Sequence, residues 1–401
     1  MSFGKASVKE APVEERRVLL RVDFNVPLEN GRIVDDGRIR GALPTIQLLR
    51  ERGAALIIVS HLDRPTGPDP ALSMAPVAAR LEELVGTSVK LAPGVVGPEV
   101  ERRAQELLPG ELLMLENSRF EAGETENDSE LAERLAALAD LYVNDAFGAA
   151  HRAHATTQGV ARLLPAYAGL LLEREVRELT TVRDHPERPL CVVLGGAKVT
   201  DKIGVLERFL DAAEQILIGG AMCFSFFSSQ GIPTGDSLVE EAGVGEAARI
   251  TERAEGSRSE LELPADLVLG RAPDADTEVR QLDGVEVPDG WMGLDIGPRT
   301  ASRYADRIAA AGTVFWNGPM GVFELEPFAA GTRVVAEAVA SAPGRTVVGG
   351  GDSAAALSAH GLADRVDWLS TGGGASLELM EGRELPGVEV LMDAGQKVES
   401  G

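Results

Sequence analysis

Residues 192–203 read VVLGGAKVTDKI, an apolar run, then a glycine pair, then two lysines where a helix begins. Glycines that open a helix directly after a strand leave backbone N–H groups free at the positive end of the helix dipole, which suits phosphate oxygens. The spacing is neither G-x-x-x-x-G-K-[ST] nor G-x-G-x-x-G, so the stretch predicts a phosphate site of another design. Lys198 lies before the helix and Lys202 in its first turn, with Thr200 or Asp201 as the expected cap. Taken alone Lys202 reads as a solvated surface lysine; behind the strand and the glycine pair it reads as a phosphate ligand.

The same grammar recurs outward from this stretch. Strand candidates in the second half are PLCVVLGG (189–196), QILIGG (215–220), DLVLG (266–270), TVFWNG (313–318), RTVVGGG (345–351) and VDWLSTGGG (366–374). Repeated glycines at strand ends mark the rim of a parallel sheet where backbone can approach a ligand. GGGDS (349–353) and STGGGAS (370–376) each place a glycine turn before a helix start. Asp352 is a magnesium partner or an N-cap, and Glu324 can accept from ribose hydroxyls. The second half therefore predicts a nucleotide site.

The first half has strand candidates RVLLRVDF (17–24), AALIIVS (54–60), SVKLA (88–92), ELLMLEN (111–117) and LYVNDAF (141–147). Between them lie helices such as 42–53 and 129–140, the latter capped by Asp128 or Ser129. Here the strand ends carry charge instead of glycine: Asp23 and Asn25, His61 and Arg64, Arg119, Asp145, then His151, Arg152 and His154. Arg38 follows a hairpin-like segment. Converging on one rim, these make a basic patch for a small polyanion, because guanidinium forks match carboxylate and phosphate. His151 and His154 lack a third ligand at zinc spacing, so anion binding is favoured over a metal.

Alternating strands and helices predict an α/β fold with parallel sheets. A chain of 401 residues with 44% hydrophobic content predicts two domains, joined near 163–189 by a long helix ending before Pro186. The net charge of −24 argues against nucleic acid or a membrane surface as partner. Cys191 and Cys223 lie in apolar segments as reduced thiols, and with no secretory or membrane-spanning run the expected location is cytoplasmic. Two anionic ligands suggest direct phosphoryl transfer, which needs positioning and charge neutralisation and no general base when the acceptor is a carboxylate.

RVDFNVP (21–27), SHLDRP (60–65), ENSRF (116–120), DAFGAAHRAHAT (145–156), LGGAKVTDKIGV (194–205), IGGAM (218–222), MGLDIGPRT (292–300), VFWNGPMGVFE (314–324), VVGGGDSAAA (347–356) and STGGGASLE (370–378) resemble, in order, the signature set of the phosphoglycerate kinase family. The resemblance implies two Rossmann-like three-layer domains: 1–167 for phosphoglycerate, a helical hinge at 168–185, and 186–385 for nucleotide, with a tail at 386–401 returning to the first. It implies reversible phosphoryl transfer between 1,3-bisphosphoglycerate and MgADP, by a monomer that closes about its hinge.

By motif, the resemblance gives Asp23, Asn25, Arg38, His61, Arg64, Arg119 and Arg152 to the glycerate ligand. Arg38, Lys198, Lys202, Gly350 and Gly373 fall to catalysis, with Gly372 to Gly374 presenting N–H groups. Gly196, Ala197, Lys198, Lys202, Gly220, Gly293, Asn317, Glu324, Gly351, Asp352 and Ser353 fall to the nucleotide, and Asp352 to Mg²⁺ on its phosphates.

Three positions depart from the usual pattern: Asp63 for Gly, Ser118 for Val or Leu, and Thr66 for Lys. Asp63 either pairs with Arg64 or faces solvent, and Ser118 is expected to loosen packing behind Arg119 by about 1 kcal/mol. Two rival readings are a binding protein on the same fold, opposed by the intact Arg38, Lys198, Lys202 and Asp352, and a nicotinamide dehydrogenase, opposed by the missing G-x-G-x-x-G.

Overall fold

The computed structural model describes residues 3–396, and these divide into two compact units. Residues 3–177 with 384–396 form the first, and Glu178–Arg383 the second. The division falls within the helix Leu170–Asp184, which stops before Pro186 because the residue preceding a proline disfavours helix.

In the first unit the strands are β1 (Arg17–Arg21), β2 (Leu28–Glu29), β3 (Arg32–Ile33), β4 (Ala55–Val59), β5 (Val89–Leu91), β6 (Leu112–Met114), β7 (Leu141–Asn144) and β8 (Ala166–Ala168). Six of them form a parallel sheet in the order β5-β6-β4-β1-β7-β8, while β2 and β3 make the hairpin before Arg38. Strands covered by helices on both faces read as unbroken apolar runs, as β4 does with all five residues buried. Ile39, Ile46 and Leu49 of the helix Gly37–Glu51 and Val77 and Leu81 of the helix Ala75–Val85 pack over Val18, Leu20, Leu56 and Ile58. The strand β8 lies where the joining helix was expected to have begun; a proline and a glycine confine it to AYA. The cap expected near residue 129 is Asp128, whose Oδ1 accepts from Leu131 N at 2.8 Å.

Residues 386–396 run along this same unit. Asn144 Nδ2 donates to Gly387 O and Gly387 N to Ala150 O, both at 2.8 Å, and Ala6 N donates to Met392 O at 2.8 Å. Residues 397–401 of the expected tail, and residues 1–2, lie outside the described residues.

The second unit holds β9 (Leu190–Leu194), β10 (Gln215–Ile218), β11 (Glu260–Glu262), β12 (Leu267–Gly270), β13 (Val279–Leu282), β14 (Met292–Ile296), β15 (Thr313–Asn317), β16 (Arg345–Gly349) and β17 (Trp368–Ser370). Its parallel sheet runs β11-β10-β9-β15-β16-β17. DLVLG does not join it. As β12 it pairs antiparallel with both β13 and β14 in a separate three-stranded sheet, and the short β11 takes the sixth place in the main one. A glycine at a strand end carries no information about pairing direction. Tyr304 and Ile308 from the helix Pro298–Ala309 and Val335 and Val339 from the helix Ala330–Ser341 cover Val193, Val314 and Trp316.

Candidate active site

At the carboxyl ends of the first sheet, the segments after β1, β4, β6 and β7 bring the predicted charged residues together. Arg38, in the first turn of its helix, donates Nη1 to Asp23 Oδ2 at 2.9 Å. The other oxygen, Asp23 Oδ1, is buried without a hydrogen-bond partner among the described residues and lies 3.9 Å from His61 Nδ1. Asn25 Oδ1 accepts from Asp63 N at 2.8 Å, which leaves its amide group to donate elsewhere. Arg119 donates Nη1 to Asp63 O while its buried Nε has no partner. Arg152 donates Nε to His151 Nε2 at 3.2 Å. Among the described residues Arg64 is exposed and has no ion pair.

Gathered together, these groups shift one another's protonation. Burial first, then Arg21, Arg119, Arg152 and Arg38, hold His61 well below the ordinary histidine value, so it is neutral. Burial and the neighbouring arginines likewise depress Arg119 and Arg152. His154 is lowered to about 4, again by burial first and then by Arg21, Arg119 and Arg152. Guanidinium groups gathered in this way match the charge and geometry of a carboxylate or phosphate.

The second unit carries a cavity of about 780 Å³ bordered by Gly196, Ala197, Gly220, Gly293, Glu324 and Asp352, all expected at a nucleotide. Its apolar wall comes from Phe224, Leu267, Met292, Leu294 and Met320. Gly220, at φ +64°, lets three turns converge: a Cβ there would stand 2.5 Å from Gly196 N and 2.8 Å from Pro319 O. A Cβ on Gly293 would stand 2.2 Å from the Phe224 ring. Lys198 is exposed and carries no ion pair among the described residues. Asp352 sits in the first turn of the helix Gly351–Ala359 without making a cap hydrogen bond.

The family signature described as "Phosphoglycerate kinase" matches residues 8–383. A phosphoglycerate kinase from Rubrobacter xylanophilus is 54% identical over 97% of this chain and 98% of its own. One from Thermomicrobium roseum is 54% identical over 96% and 99%. The solved phosphoglycerate kinase of Coxiella burnetii superposes with a TM-score of 0.86 at 40% identity, covering 96% of this chain and 98% of its own. The chain belongs to the phosphoglycerate kinase family. It is a phosphotransferase with a carboxyl acceptor, acting in glycolysis by reversible phosphoryl transfer between 1,3-bisphosphoglycerate and ADP.

Against the family's motifs, several side chains stand elsewhere than their sequence suggested. Lys202 is buried, with Nζ 3.7 Å from the Cβ position of Gly196; burial lowers its pKa, while Asp201 and Asp352 pull it back. Neither Thr200 nor Asp201 caps the helix Ile203–Leu210, and Thr200 instead donates to Glu240. Lys198, Lys202, Asn317, Gly351 and Ser353 do not border the cavity. Ser353 is wholly buried and accepts from Gly318 N at 2.6 Å, so it braces a wall of the site. Asn317, buried at the end of β15, has Nδ2 3.0 Å from the Cβ position of Gly350.

Asp145 is not on the rim. It is buried, and its Oδ1 accepts from Leu171 N at 2.8 Å and Leu172 N at 3.2 Å, anchoring the start of the helix Leu170–Asp184. Ser118 is buried and donates to Glu124 Oε1 at 3.3 Å, a contact that Val or Leu could not make. Asp63 adopts φ +54° with an exposed side chain and forms no ion pair with Arg64 among the described residues. Aspartate enters that left-handed region more readily than most residues. Sequence reasoning missed Arg21, Glu124 and Thr156 altogether. An arginine inside the apolar run RVLLRV was the available signal for the first of them.

Proposed function

We propose that the arginine rim of the first unit holds 3-phosphoglycerate or 1,3-bisphosphoglycerate, and that the cavity of the second unit holds ADP or ATP. The unpaired buried atoms Asp23 Oδ1 and Arg119 Nε carry the first assignment, since each is a hydrogen-bonding group left without a protein partner. Asp23 Oδ1 suits the ligand's hydroxyl, while His61, Arg64, Arg119 and Arg152 suit its phosphate and carboxylate. In the second unit the apolar wall suits a base, Glu324 a ribose, and the glycine turns with Lys202 the phosphates. Arg38 and Lys198, with the N–H groups of Gly350 and Gly372 to Gly374, are assigned to the phosphoryl group in transfer.

Mg²⁺ fits this donor set as a passenger on the nucleotide phosphates. Asp352 borders the cavity as a single carboxylate, and no cluster of three metal-ligating side chains exists among the described residues. The ion would neutralise phosphate charge, with Asp352 holding it. Direct transfer brings the two ligands together and so calls for hinge movement about the joining segment. A monomer in the cytoplasm completes the reading; no described helix is long and apolar enough to cross a membrane.

Calorimetric titration tests the division of labour. Arg119→Ala is expected to abolish measurable 3-phosphoglycerate binding and leave MgADP binding intact, and Asp352→Ala to weaken MgADP far more than metal-free ADP. Loss of both ligands in either variant would overturn the assignment.

A further inference from the structure

Behind the rim lies a set of buried polar groups with no task so far. Arg21, 1% exposed at the end of β1, donates Nε to Thr156 Oγ1 at 2.9 Å and stands with Nη2 3.1 Å from His61 Nδ1. The Thr156 hydroxyl donates to Glu124 Oε1 at 2.5 Å, and Thr156 N to Glu124 Oε2 at 3.0 Å. Ser118 Oγ donates to the same Oε1 at 3.3 Å. Glu124, Thr156 and Ser118 are all wholly buried.

The chemistry of these groups gives each link one direction. A guanidinium has no acceptor, so His61 Nδ1 must accept, and the ring proton of the neutral imidazole sits on Nε2. An ionised carboxylate has no donor, so the single Thr156 hydroxyl proton goes to Glu124 and its lone pair faces Arg21. Arg21 has no carboxylate in direct contact among the described residues. Its buried charge is balanced at one remove, through a hydroxyl, by Glu124. Ser118 stands one residue before Arg119, so the turn carrying that arginine is tied to the same carboxylate.

We propose that Glu124 is a positioning residue for phosphoglycerate binding. Through Thr156 and Arg21 it locks His61 as the Nε2–H tautomer, so that the imidazole presents a donor to the anionic ligand, and through Ser118 it steadies Arg119. Ser118, where the family usually has Val or Leu, supplies a donor that those side chains lack. The proposal rests on the reading of His61 as a ligand contact, and its test separates the two.

The protein, carrying ¹⁵N-labelled histidine, is observed by NMR through the neutral range, with His61→Gln assigning one signal among the five histidines. His61 is expected to carry its proton on Nε2. Thr156→Val keeps the volume and removes the hydroxyl. It is expected to give a mixture of tautomers and to raise KM for 3-phosphoglycerate about tenfold, with kcat and KM for ATP within about twofold. Thr156→Ser is expected to preserve both, and Glu124→Gln to follow Thr156→Val.

A proton on Nδ1 in the unaltered protein overturns the proposal, whether or not any variant folds. So does a Thr156→Val protein unchanged in tautomer and KM, or equal losses in Thr156→Val and Thr156→Ser. A tautomer shift with KM unchanged would retain the relay and overturn the reading of His61 as a ligand contact, and with it the proposed role.

Discussion

The first unit presents its proposed anion-binding groups as side chains at strand ends, with Asp23 Oδ1 and Arg119 Nε buried and without hydrogen-bond partners among the described residues. The second presents backbone, in glycine turns around a cavity whose walls are mostly apolar. Each arrangement suits a different ligand. A small polyanion offers only charge and hydrogen bonds, so it is held by arginines at the expense of their mutual repulsion. A nucleotide offers a flat apolar base and a phosphate tail, so it suits an apolar wall for the base and backbone N–H groups, helped by Lys202, for the tail. The rim should therefore be sensitive to charge and salt, and the cavity to volume.

The largest effect should come from Lys198, the exposed lysine assigned with Arg38 to the phosphoryl group in transfer. Lys198→Ala is expected to lower kcat by about 10²–10³-fold, the scale of removing one donor from developing charge. Thermal stability should move little, because Lys198 is exposed and forms no ion pair among the described residues. A coupled assay with MgATP and 3-phosphoglycerate, following acyl-phosphate formation, reads it. A loss confined to nucleotide KM would make Lys198 a binding group and sharpen the contrast with Arg38.

Volume sensitivity is tested at Gly293. The added methyl of Gly293→Ala would stand 2.2 Å from the Phe224 ring, so about 1–3 kcal/mol of destabilisation is expected, with a higher KM for nucleotide and an unchanged KM for 3-phosphoglycerate. Urea unfolding and steady-state kinetics check the two halves. Charge sensitivity is tested at Arg64, which has no partner to lose among the described residues. Arg64→Ala should raise KM for 3-phosphoglycerate about tenfold, by loss of one charge-assisted hydrogen bond, without lowering the melting temperature. A fall in melting temperature would mean that the rim is knit together more tightly than its unpaired atoms indicate.

Each unit also buries a carboxylate beside a helix start, and the two differ in strength. Burial raises Asp145 from 3.8 to about 6, against hydrogen bonds from Thr45, Leu172 and Leu171. Burial raises Asp295 from 3.8 to about 8, against Gly331 N and Ile296 N. In both cases the folded state binds the proton more readily than the unfolded chain. The stability each contributes is thus full below about pH 4 and lost as pH rises, toward 6 for Asp145 and toward 8 for Asp295. Asp145→Asn should flatten a plot of urea midpoint against pH between about 4 and 6, and Asp295→Asn between about 4 and 8, so that above pH 6 only the second variant differs in slope.

What could be read from sequence follows the same contrast. Groups adjacent along the chain, such as the glycine turns or Asp23 with Asn25, announce themselves by spacing. The apolar runs of β4 and β9 declare strands covered on both faces. What spacing cannot show is pairing across distance. Thr156 meets Arg21 across 135 residues, and Ser118, read only as a smaller side chain where Val or Leu is usual, meets Glu124 through a hydrogen bond that the motif does not announce. The burial of Lys202 is likewise invisible in TDKI, whose residues on their own suit an exposed turn. DLVLG shows the limit for sheets, since its composition suits parallel and antiparallel pairing alike.

The smallest effect is expected where the sequence departs most visibly from its family. Asp63 stands at φ +54° on the rim, its N–H held by Asn25 and its carbonyl by Arg119, while its carboxylate faces solvent. The backbone of this residue thus positions two of the proposed ligand contacts, and its side chain touches neither. Glycine reaches the same conformation without steric cost, so Asp63→Gly should leave those hydrogen bonds in place. Removing an exposed charge near Arg64 changes its potential by an amount that solvent screens, and KM for 3-phosphoglycerate should fall by less than about threefold at moderate salt. The difference should shrink as ionic strength rises. A tenfold fall, persisting in high salt, would show that the carboxylate turns inward to meet an arginine whenever the ligand is absent. The rim would then be a partly neutralised site, and its contrast with the cavity would be one of degree.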